Sequence, residues 1–410
     1  MEMHKSTLSA VPSSSSIAPS SLNINPLPSG WEIKCFPSLA DGKAHWESLI
    51  TTEDFFLSGD FFSLIDQISL KGVTTGFAIF EHPSYSPFGL VVQTFSFNPE
   101  EQMGKLDQNA QYGRLQRLAQ RAKDVLAKIL RFRILSFGQL LLTGNHGLRG
   151  NTQLPASELA ALLAEGGEAI ASAWPERIHG IMIKDLPLGQ YPKAHAYHAL
   201  PVQPNMVLHL EESWSSFSDY LEAMSSKYRV RARRARKKGD ELMRRTMNLE
   251  EIKLRQSEMH RMYCIIAAQS DFNAVVLPAN YFTTWLEQFP ERFKVWGYFL
   301  DEAFIGFSTA VYNGHELEAH FLGFEADYNR SHQLYLNMLY DLVQEAILAG
   351  SSTLVFSRTA LEIKSSVGAV PEDLYCWMRS RYAIANPLVP IVAKFIAPLP
   401  EWEPRHPFKD

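Results

Sequence analysis

The chain has 410 residues, a length that allows two or three compact units, each with its own core. Hydrophobic residues make up 46% of it and charged residues 20%, as in ordinary globular proteins, and the net charge of −5 argues against a protein that binds DNA over a broad basic face. The three cysteines, Cys35, Cys264 and Cys376, are far apart and odd in number, which indicates thiols in a reducing compartment rather than a disulfide framework.

The two ends of the chain differ in composition from the rest. Residues 1–29 are rich in Ser and Pro and contain no apolar run long enough for a signal peptide, so they are predicted to be a disordered tail. Near the other end, the apolar stretch YAIANPLVPIVAKFIAPLP is interrupted by prolines and a lysine, which argues against a membrane-spanning helix. With neither an export signal nor a membrane span, the expected location is the cytoplasm.

The first half of the chain alternates between strand and helix patterns. Strands are predicted at 31–39, 75–83, 88–98, 132–144, 179–187 and 204–212. Helices are predicted at 44–50, 55–68 and 154–174, with a helix-rich insertion over 100–130.

The second half has a cleaner pattern of the same kind. Two helices, 250–269 and 280–289, are followed by three antiparallel strands at 294–300, 303–312 and 315–326, with Asn313-Gly314 as a hairpin signal. A helix at 334–350, a buried strand at 352–359, a short helix at 362–369 and a strand region at 372–383 complete it. The halves are therefore predicted to be two copies of one αβ unit, 30–212 and 240–397, with a connecting helix at 213–239 and a tail at 398–410.

The connecting segment contains the most basic stretch of the chain, SSKYRVRARRARKKGD, in which eight of the twelve residues from Lys227 to Lys238 are Lys or Arg. Ser216 and Asp219 form a helix-start signature, and apolar residues then recur at helical spacing, which predicts a helix packed on a core. One edge of this stripe is lined by Lys227, Arg231, Arg234 and Lys238. This edge, with Tyr228 beside Lys227, is a candidate anion site, where Lys227 and Arg231 would face the inter-lobe cleft; the alternative is a solvated face without a ligand. The outward residues are predicted to contact only solvent; they are Arg229, Arg233, Arg236 and Lys237.

This basic helix, together with HFLGF (320–324), ADYNRSHQLYLNMLYDLV (326–343) and VFSRTALEIKSSVGAVP (355–371), resembles the tandem N-acyltransferases of the GNAT superfamily, including the Fem-type and BioF2-like relatives. The resemblance implies two GNAT-like lobes of α/β class, each a mixed, mostly antiparallel sheet flanked by helices. It also implies transfer of an acyl or aminoacyl group from a thioester or ester to an amine bound between the lobes. Acyl-CoA would be a co-substrate rather than a permanently bound cofactor, and aminoacyl-tRNA is the alternative donor.

Two segments are candidates for holding the phosphates of a donor. In the second lobe, the family's glycine-rich turn is replaced by the glycine-free segment 329–334, which contains Arg330. In the first lobe, Gly144, Gly147 and Gly150 follow a strand and precede a helix, a spacing that could form a phosphate-binding loop or only a turn.

Acyl transfer to an amine needs a proton acceptor, and the strand at 315–326 offers two. Glu318 and His320 share one face of it because side chains alternate, whereas Leu317, Ala319 and Phe321 are predicted to face a core.

Two cations follow the buried strand. Arg358 could orient an anion or pair with Glu362, and Lys364 begins the next helix. No metal site is predicted, because His195 and His198 lack further ligands nearby.

A different class of function stays open. The chain could keep the fold without catalysis and bind RNA, including tRNA, through its basic helix. Phosphate-driven binding would weaken steeply with salt, whereas an acyl-CoA enzyme would be stabilised by coenzyme A.

Overall fold

The computed structural model describes residues 20–49, 53–97, 132–150, 152–186, 196–200, 202–269 and 273–409. The predicted insertion at 100–130 and the first nineteen residues of the predicted tail lie outside these ranges.

The described elements of the first half follow the predicted order. Two short strands, Leu148–Arg149 and His198–Leu200, were not predicted. The strands are β1 (Glu32–Phe36), β2 (Val73–His82), β3 (Tyr85–Phe97), β4 (Phe132–Phe137), β5 (Leu148–Arg149), β6 (Gly180–Lys184), β7 (His198–Leu200) and β8 (Asn205–His209). The helices are α1 (Leu39–Glu47), α2 (Gly59–Ile68) and α3 (Ala156–Ala173), with a 3₁₀ turn at Phe55–Leu57.

The elements predicted for the second half occur in their predicted order, but the connecting segment is two helices instead of one. Four further elements were not predicted, at Leu242–Thr246, Ala326–His332, Val370–Glu372 and Val389–Ile396. The helices are α4 (Phe217–Ala223), α5 (Ser226–Lys238), α6 (Leu249–Ala267), α7 (Tyr281–Gln288), α8 (Ala326–His332), α9 (Leu334–Leu348), α10 (Leu361–Ser365) and α11 (Val389–Ile396). The strands are β9 (Leu242–Thr246), β10 (Phe293–Leu300), β11 (Ala303–Asn313), β12 (Glu316–Phe324), β13 (Thr353–Ser357), β14 (Val370–Glu372) and β15 (Cys376–Ser380).

Local signals explain several of these boundaries. The Ser216 side chain accepts from the Asp219 amide while the Asp219 carboxylate accepts from the Ser216 amide, so the predicted start of the basic segment is a capping box. Gly314 has a φ of 60°, which allows the tight turn between β11 and β12 that Asn313-Gly314 predicted.

The strands form two mixed, mostly antiparallel sheets flanked by helices, which confirms the predicted fold class. The first has the order β1-β2-β3-β4-β6-β15-β7, with β5 paired to β3, and the second has the order β14-β8-β13-β12-β11-β10-β9. Each contains one parallel pair, β4 with β6 and β12 with β13.

The sheets exchange strands, so the predicted division at 30–212 and 240–397 does not separate them. β8, from the first half, pairs with β13 in the second sheet, where Leu208 is opposite Leu354. β15, from the second half, pairs with β6 in the first sheet, where Trp377 is opposite Ile183. Sequence order could not show this exchange, because a strand's pattern specifies its faces and not its partner.

One apolar core is shared by the two halves. Phe61 of α2 lies 5.9 Å from Trp285 of α7, measured between ring centroids, and Phe55 lies 5.0 Å from Phe289. Two further cores lie elsewhere, one under α3 in the first half and one under α9 in the second. The shared core holds the halves together and sets the position of the site described below.

The terminal segments that the structure describes are packed rather than free. Leu22 and Leu27 are buried, and the Leu22 amide donates to the Cys35 carbonyl at 2.8 Å, so the prediction of disorder up to residue 29 is wrong for 20–29. At the other end, the ring centroid of Phe408 lies 5.9 Å from that of Tyr220. Phe408 also forms an isolated β-bridge with Met224, which lies between α4 and α5. In the part of the chain that the structure describes, no helix has the length and apolar character needed to cross a bilayer.

Candidate active site

Three ionisable side chains from distant parts of the chain meet between the halves. Asp54 precedes the 3₁₀ turn, His146 lies in the loop between β4 and β5, and Glu318 lies on β12. His146 Nδ1 is 2.7 Å from Asp54 Oδ2, and His146 Nε2 is 3.9 Å from Glu318 Oε1. Glu318 is only 6% exposed, and no hydrogen bond to a described residue reaches its carboxylate.

Asp54 is held in place by groups from both halves. Its Oδ1 accepts from the Phe56 amide at 3.0 Å and from Asn313 Nδ2, also at 3.0 Å. Asn313 ends β11, and its Oδ1 accepts from the Phe55 amide at 2.7 Å. The carboxylate therefore has little freedom and can fix the orientation of the His146 ring.

The glycines of the predicted phosphate loop shape the loop that carries His146. Gly144 has a φ of 106°, and a Cβ on Gly147 would lie 2.6 Å from Gly138 Cα. Gly144 donates its amide to Asp185 Oδ2 at 3.3 Å, so this amide already has an acceptor. Gly150 lies against Pro87 and Phe88. The structure thus gives these glycines conformational and packing roles.

Burial and neighbouring charges set the protonation of the site. Burial raises the pKa of Glu318 to about 8, and the negative charges of Glu316 and Asp54 add to this, while His146 opposes it. Burial by itself would lower the pKa of His146, but the hydrogen bond and charge of Asp54 and the charge of Glu318 outweigh it, so that pKa is raised. A carboxyl with a pKa near neutrality can accept a proton from an ammonium group and release it again.

His320, the other predicted base, lies in an aromatic environment. Its Nε2 is 2.6 Å from the Tyr281 hydroxyl, and burial lowers its pKa to about 3, so the ring is neutral near pH 7. Phe321 also contacts Tyr281, with ring centroids 5.6 Å apart. A β-bulge between β11 and β12, where Thr309 Oγ1 bonds the Phe321 amide at 2.9 Å, places these consecutive side chains together. The prediction that Phe321 shares the face of Leu317 and Ala319 is therefore wrong.

Arg358 joins the two halves through a partner other than the expected Glu362. Its Nη2 donates to Asp185 Oδ1 at 2.5 Å, whereas Glu362 pairs with Arg405 at 3.4 Å. Lys184 Nζ donates to the other oxygen of Asp185, also at 2.5 Å. Burial raises the pKa of Asp185, but the two cations lower it more, so the carboxyl stays ionised.

Lys364 holds the end of β13. Its Nζ donates to the carbonyl oxygens of Phe356 at 2.7 Å, Ser357 at 3.2 Å and Arg358 at 2.5 Å. Burial lowers the pKa of Lys364 to about 7. In this segment Ser357, Thr359 and Ala360 adopt left-handed φ values, a backbone state that the lysine contacts help to stabilise.

The remaining predicted residues lie outside this cluster. Lys227 and Arg231 are exposed on α5, where the Lys227 ammonium lies 5.4 Å from the ring of Tyr228, and these three are not among the described residues lining the two cavities considered next. Arg330 is exposed on α8. Arg236, predicted to contact only solvent, instead pairs with Asp341 at 2.5 Å.

Two cavities border the cluster, and both are lined by His146 and Glu318. The larger, about 1460 Å³, is lined mainly by apolar side chains and also by His320, Arg358 and Lys364. The smaller, about 710 Å³, is lined by Asp54, Asp185 and other polar residues. The Glu318 carboxyl is thus reachable from an apolar and a polar side.

Sequence reasoning found Glu318 but missed Asp54, His146 and Asp185. A signal existed for His146, which sits between two glycines of a loop singled out for another role. Asp54 and Asp185 carried no comparable signal, because isolated acidic residues at the ends of elements are common.

No protein-family model and no curated protein matches the chain. Among solved structures, it is similar to FemX, with a TM-score of 0.46, 11% identity, and coverage of 83% of this chain and 95% of that chain. A tandem GNAT protein from the clavulanic acid biosynthesis pathway has a TM-score of 0.44, 11% identity, and coverage of 85% and 98%. A probable N-acyltransferase from Enterococcus faecalis has a TM-score of 0.41, 9% identity, and coverage of 85% and 72%. At these identities the likeness is one of fold.

Proposed function

We propose that the chain is an N-acyltransferase that moves an acyl or aminoacyl group from a thioester or ester donor to an amine bound between its halves. The observation that carries this proposal is the buried Glu318 carboxyl, which has a raised pKa, faces His146 and Asp54, and is reached from two cavities. A protein with only a structural use for this position would avoid burying a carboxyl without a hydrogen-bonding partner.

Glu318 acts as the general base. The acceptor arrives as an ammonium ion, and Glu318 takes one proton so that the nitrogen lone pair can attack the acyl carbonyl carbon. The new C–N bond forms, the bond from that carbon to sulfur or oxygen breaks, and the thiol or alcohol leaves with a proton from the nitrogen. A nitrogen placed about 2.8 Å from both His146 Nε2 and Glu318 Oε1 fits the 3.9 Å gap between them.

The donor occupies the larger cavity. β12 and β13 pair only from Glu316 to Glu318 and from Thr353 to Val355. Beyond this point the cavity is lined by both strands, by His320 and Phe321 on one and by Phe356 and Ser357 on the other. An acyl group entering here would bring its carbonyl to Glu318, and the apolar walls would exclude water from the ester.

The test is an assay with the full chain, a series of acyl-CoA thioesters and a mixture of amines, read by mass spectrometry of N-acylated products and by release of the thiol. Binding of coenzyme A is measured separately, by a rise in thermal stability that reaches about 2.7 kcal/mol at a hundredfold excess over Kd. Aminoacyl esters of tRNA are the second donor class in the same assay. If neither donor class gives an N-acylated product, the proposal is contradicted.

RNA binding without catalysis is the second candidate, and a specific observation favours it. Of the basic residues of α5, only Arg236 forms an ion pair with a described residue. The others that are exposed share no such partner; they are Lys227, Arg231, Arg233, Arg234, Lys237 and Lys238. RNA binding that falls steeply with salt, in a chain that neither binds nor consumes an acyl donor, would favour this candidate.

A further inference from the structure

The smaller cavity is strongly acidic. Besides Asp54, Asp185 and Glu318, it is lined by Glu53, Glu316, Glu372 and Asp373. None of the described residues lining it is Lys or Arg. A negative potential in a recess with low-dielectric walls concentrates cations.

Asp185 is paired with both Lys184 and Arg358 and adds no free negative charge, whereas the other carboxylates are only partly neutralised by their neighbours. His146 lies beside Asp54, His209 is 3.6 Å from Glu372, and His315 is 3.8 Å from Glu53. Glu316 accepts a hydrogen bond from Thr353 at 3.2 Å and, among the described residues, has no cationic partner. The exposed Asp373 also has no cationic partner among the described residues.

Two buried polar groups in this cavity have no hydrogen-bonding partner among the residues that the structure describes. Asn205, 6% exposed, lines the cavity, and its Oδ1 accepts no hydrogen bond from a described residue. Glu318, also 6% exposed, lines the same cavity, and no hydrogen bond from a described residue reaches its carboxyl group. Asn205 Oδ1 is an acceptor, and the Glu318 carboxyl is one once it is deprotonated, so the group that would satisfy both is a donor, as an ammonium group is.

The carboxyl groups of this cavity are arranged from its rim to its bottom. Glu53, Glu372 and Asp373 are exposed, Glu316 is half-buried, and Glu318 is buried. Glu316 and Glu318 are two residues apart on β12 and share a face, so their attachment points are about 6.6 Å apart. An aliphatic diamine with four methylene groups spans a similar distance.

Resting on the acyl transfer proposed above, we infer that the smaller cavity binds the acceptor and that the acceptor is an aliphatic amine with a second positive charge, a diamine or polyamine. One ammonium group reaches Glu318 and Asn205 and becomes the nucleophile. The second stays charged at Glu316 and the rim carboxylates, where it fixes the orientation of the first.

The test measures binding of three probes to the full chain by calorimetry, without an acyl donor. Putrescine carries two ammonium groups, butylamine carries one, and γ-aminobutyrate replaces the second ammonium with a carboxylate. We expect putrescine to bind at least about tenfold more tightly than butylamine, and γ-aminobutyrate to bind more weakly than either. Equal binding of the three probes, or no binding of putrescine, would overturn the inference.

A pair of variants locates the second charge. Glu316→Gln should bring the affinity for putrescine close to that for butylamine, because it removes the carboxylate that meets the second ammonium. The control, Glu302→Gln, changes an exposed carboxyl in the β10–β11 turn and should leave the ratio unchanged. A ratio that survives Glu316→Gln would contradict the assigned position.

The outcome is separable from that of the proposed function. If putrescine binds as described and no acyl donor is consumed, acyl transfer is wrong and the cation site stands. If an acyl group is transferred to a neutral or zwitterionic amine while putrescine does not bind, acyl transfer stands and the diamine inference fails.

Discussion

Asp54 Oδ2 and His146 Nδ1 lie 2.7 Å apart although 92 residues separate them in sequence. The carboxylate fixes the ring tautomer with the proton on Nδ1, so that Nε2 faces Glu318 as an acceptor when the ring is neutral. Loss of Asp54 would remove this contact from the buried His146 ring, whereas loss of His146 would leave Asp54 with its hydrogen bonds from the Phe56 amide and Asn313.

Replacing the base should affect turnover more than binding. Glu318→Gln keeps the shape of the side chain but cannot accept the amine proton, so kcat should fall by about a hundredfold or more while KM changes little. The measurement is steady-state kinetics with the acyl donor and amine found in the assay. Glu302→Gln is the control, and turnover of Glu318→Gln within a few-fold of the wild type would make Glu318 structural.

The pH dependence of the rate distinguishes the two predicted bases. Because Glu318 must be deprotonated to act and its pKa is about 8, kcat/KM should rise with pH and level off above that value. His320, with a pKa of about 3, would be deprotonated throughout and would give no such rise. A profile without an inflection near pH 8, measured with a donor whose hydrolysis is subtracted, would favour His320.

The same carboxyl makes stability depend on pH. The folded chain holds the Glu318 proton more tightly than the unfolded chain, whose ordinary pKa is about 4.3, so this stabilisation is complete below that pH and is lost as pH rises through about 8. Thermal unfolding of the wild type and of Glu318→Gln should be followed from about pH 5 to about pH 9. The Tm difference should shift in favour of the variant as pH rises; a difference independent of pH would show that the raised pKa is wrong.

Two arginines of α5 should differ in their effect on stability. Arg236 pairs with the buried Asp341 and lies 4.8 Å from the ring of Phe217, so Arg236→Ala should lower the free energy of unfolding by about 1–3 kcal/mol. Arg233 is exposed on the same helix, and Arg233→Ala should stay within about 0.5 kcal/mol of the wild type. Denaturant unfolding of both variants provides the measurement, and equal losses would contradict the assigned contacts.

Two truncations separate the parts of the N-terminal segment. Deleting residues 1–19, which are polar and Ser-rich, should leave the Tm unchanged. Deleting 1–29 also removes the buried Leu22 and Leu27, each worth about 1.5–3 kcal/mol of apolar burial, and should lower the Tm. If both truncated chains have the same Tm as the full chain, the packing of these leucines adds nothing to stability.

The sequence by itself determined what local patterns and composition can determine. The alternation around Glu318 placed it on a strand face, the Ser216 and Asp219 signature placed a helix start, and Asn313-Gly314 placed a turn; all three are present. These features depend on residues a few positions apart, whose geometry is fixed by the backbone.

Only the tertiary structure decided which strands pair, which charges meet and where the bases lie. The exchange of β8 and β15 between sheets, and the meeting of Asp54, His146 and Glu318, depend on contacts between residues tens to hundreds of positions apart. Arg236 and Arg233 have similar surroundings in sequence, yet one lies against Asp341 because α9 packs beside α5. The pKa of Glu318 likewise depends on how completely the two halves exclude water from it, which is a property of the packed molecule and not of the strand that carries it.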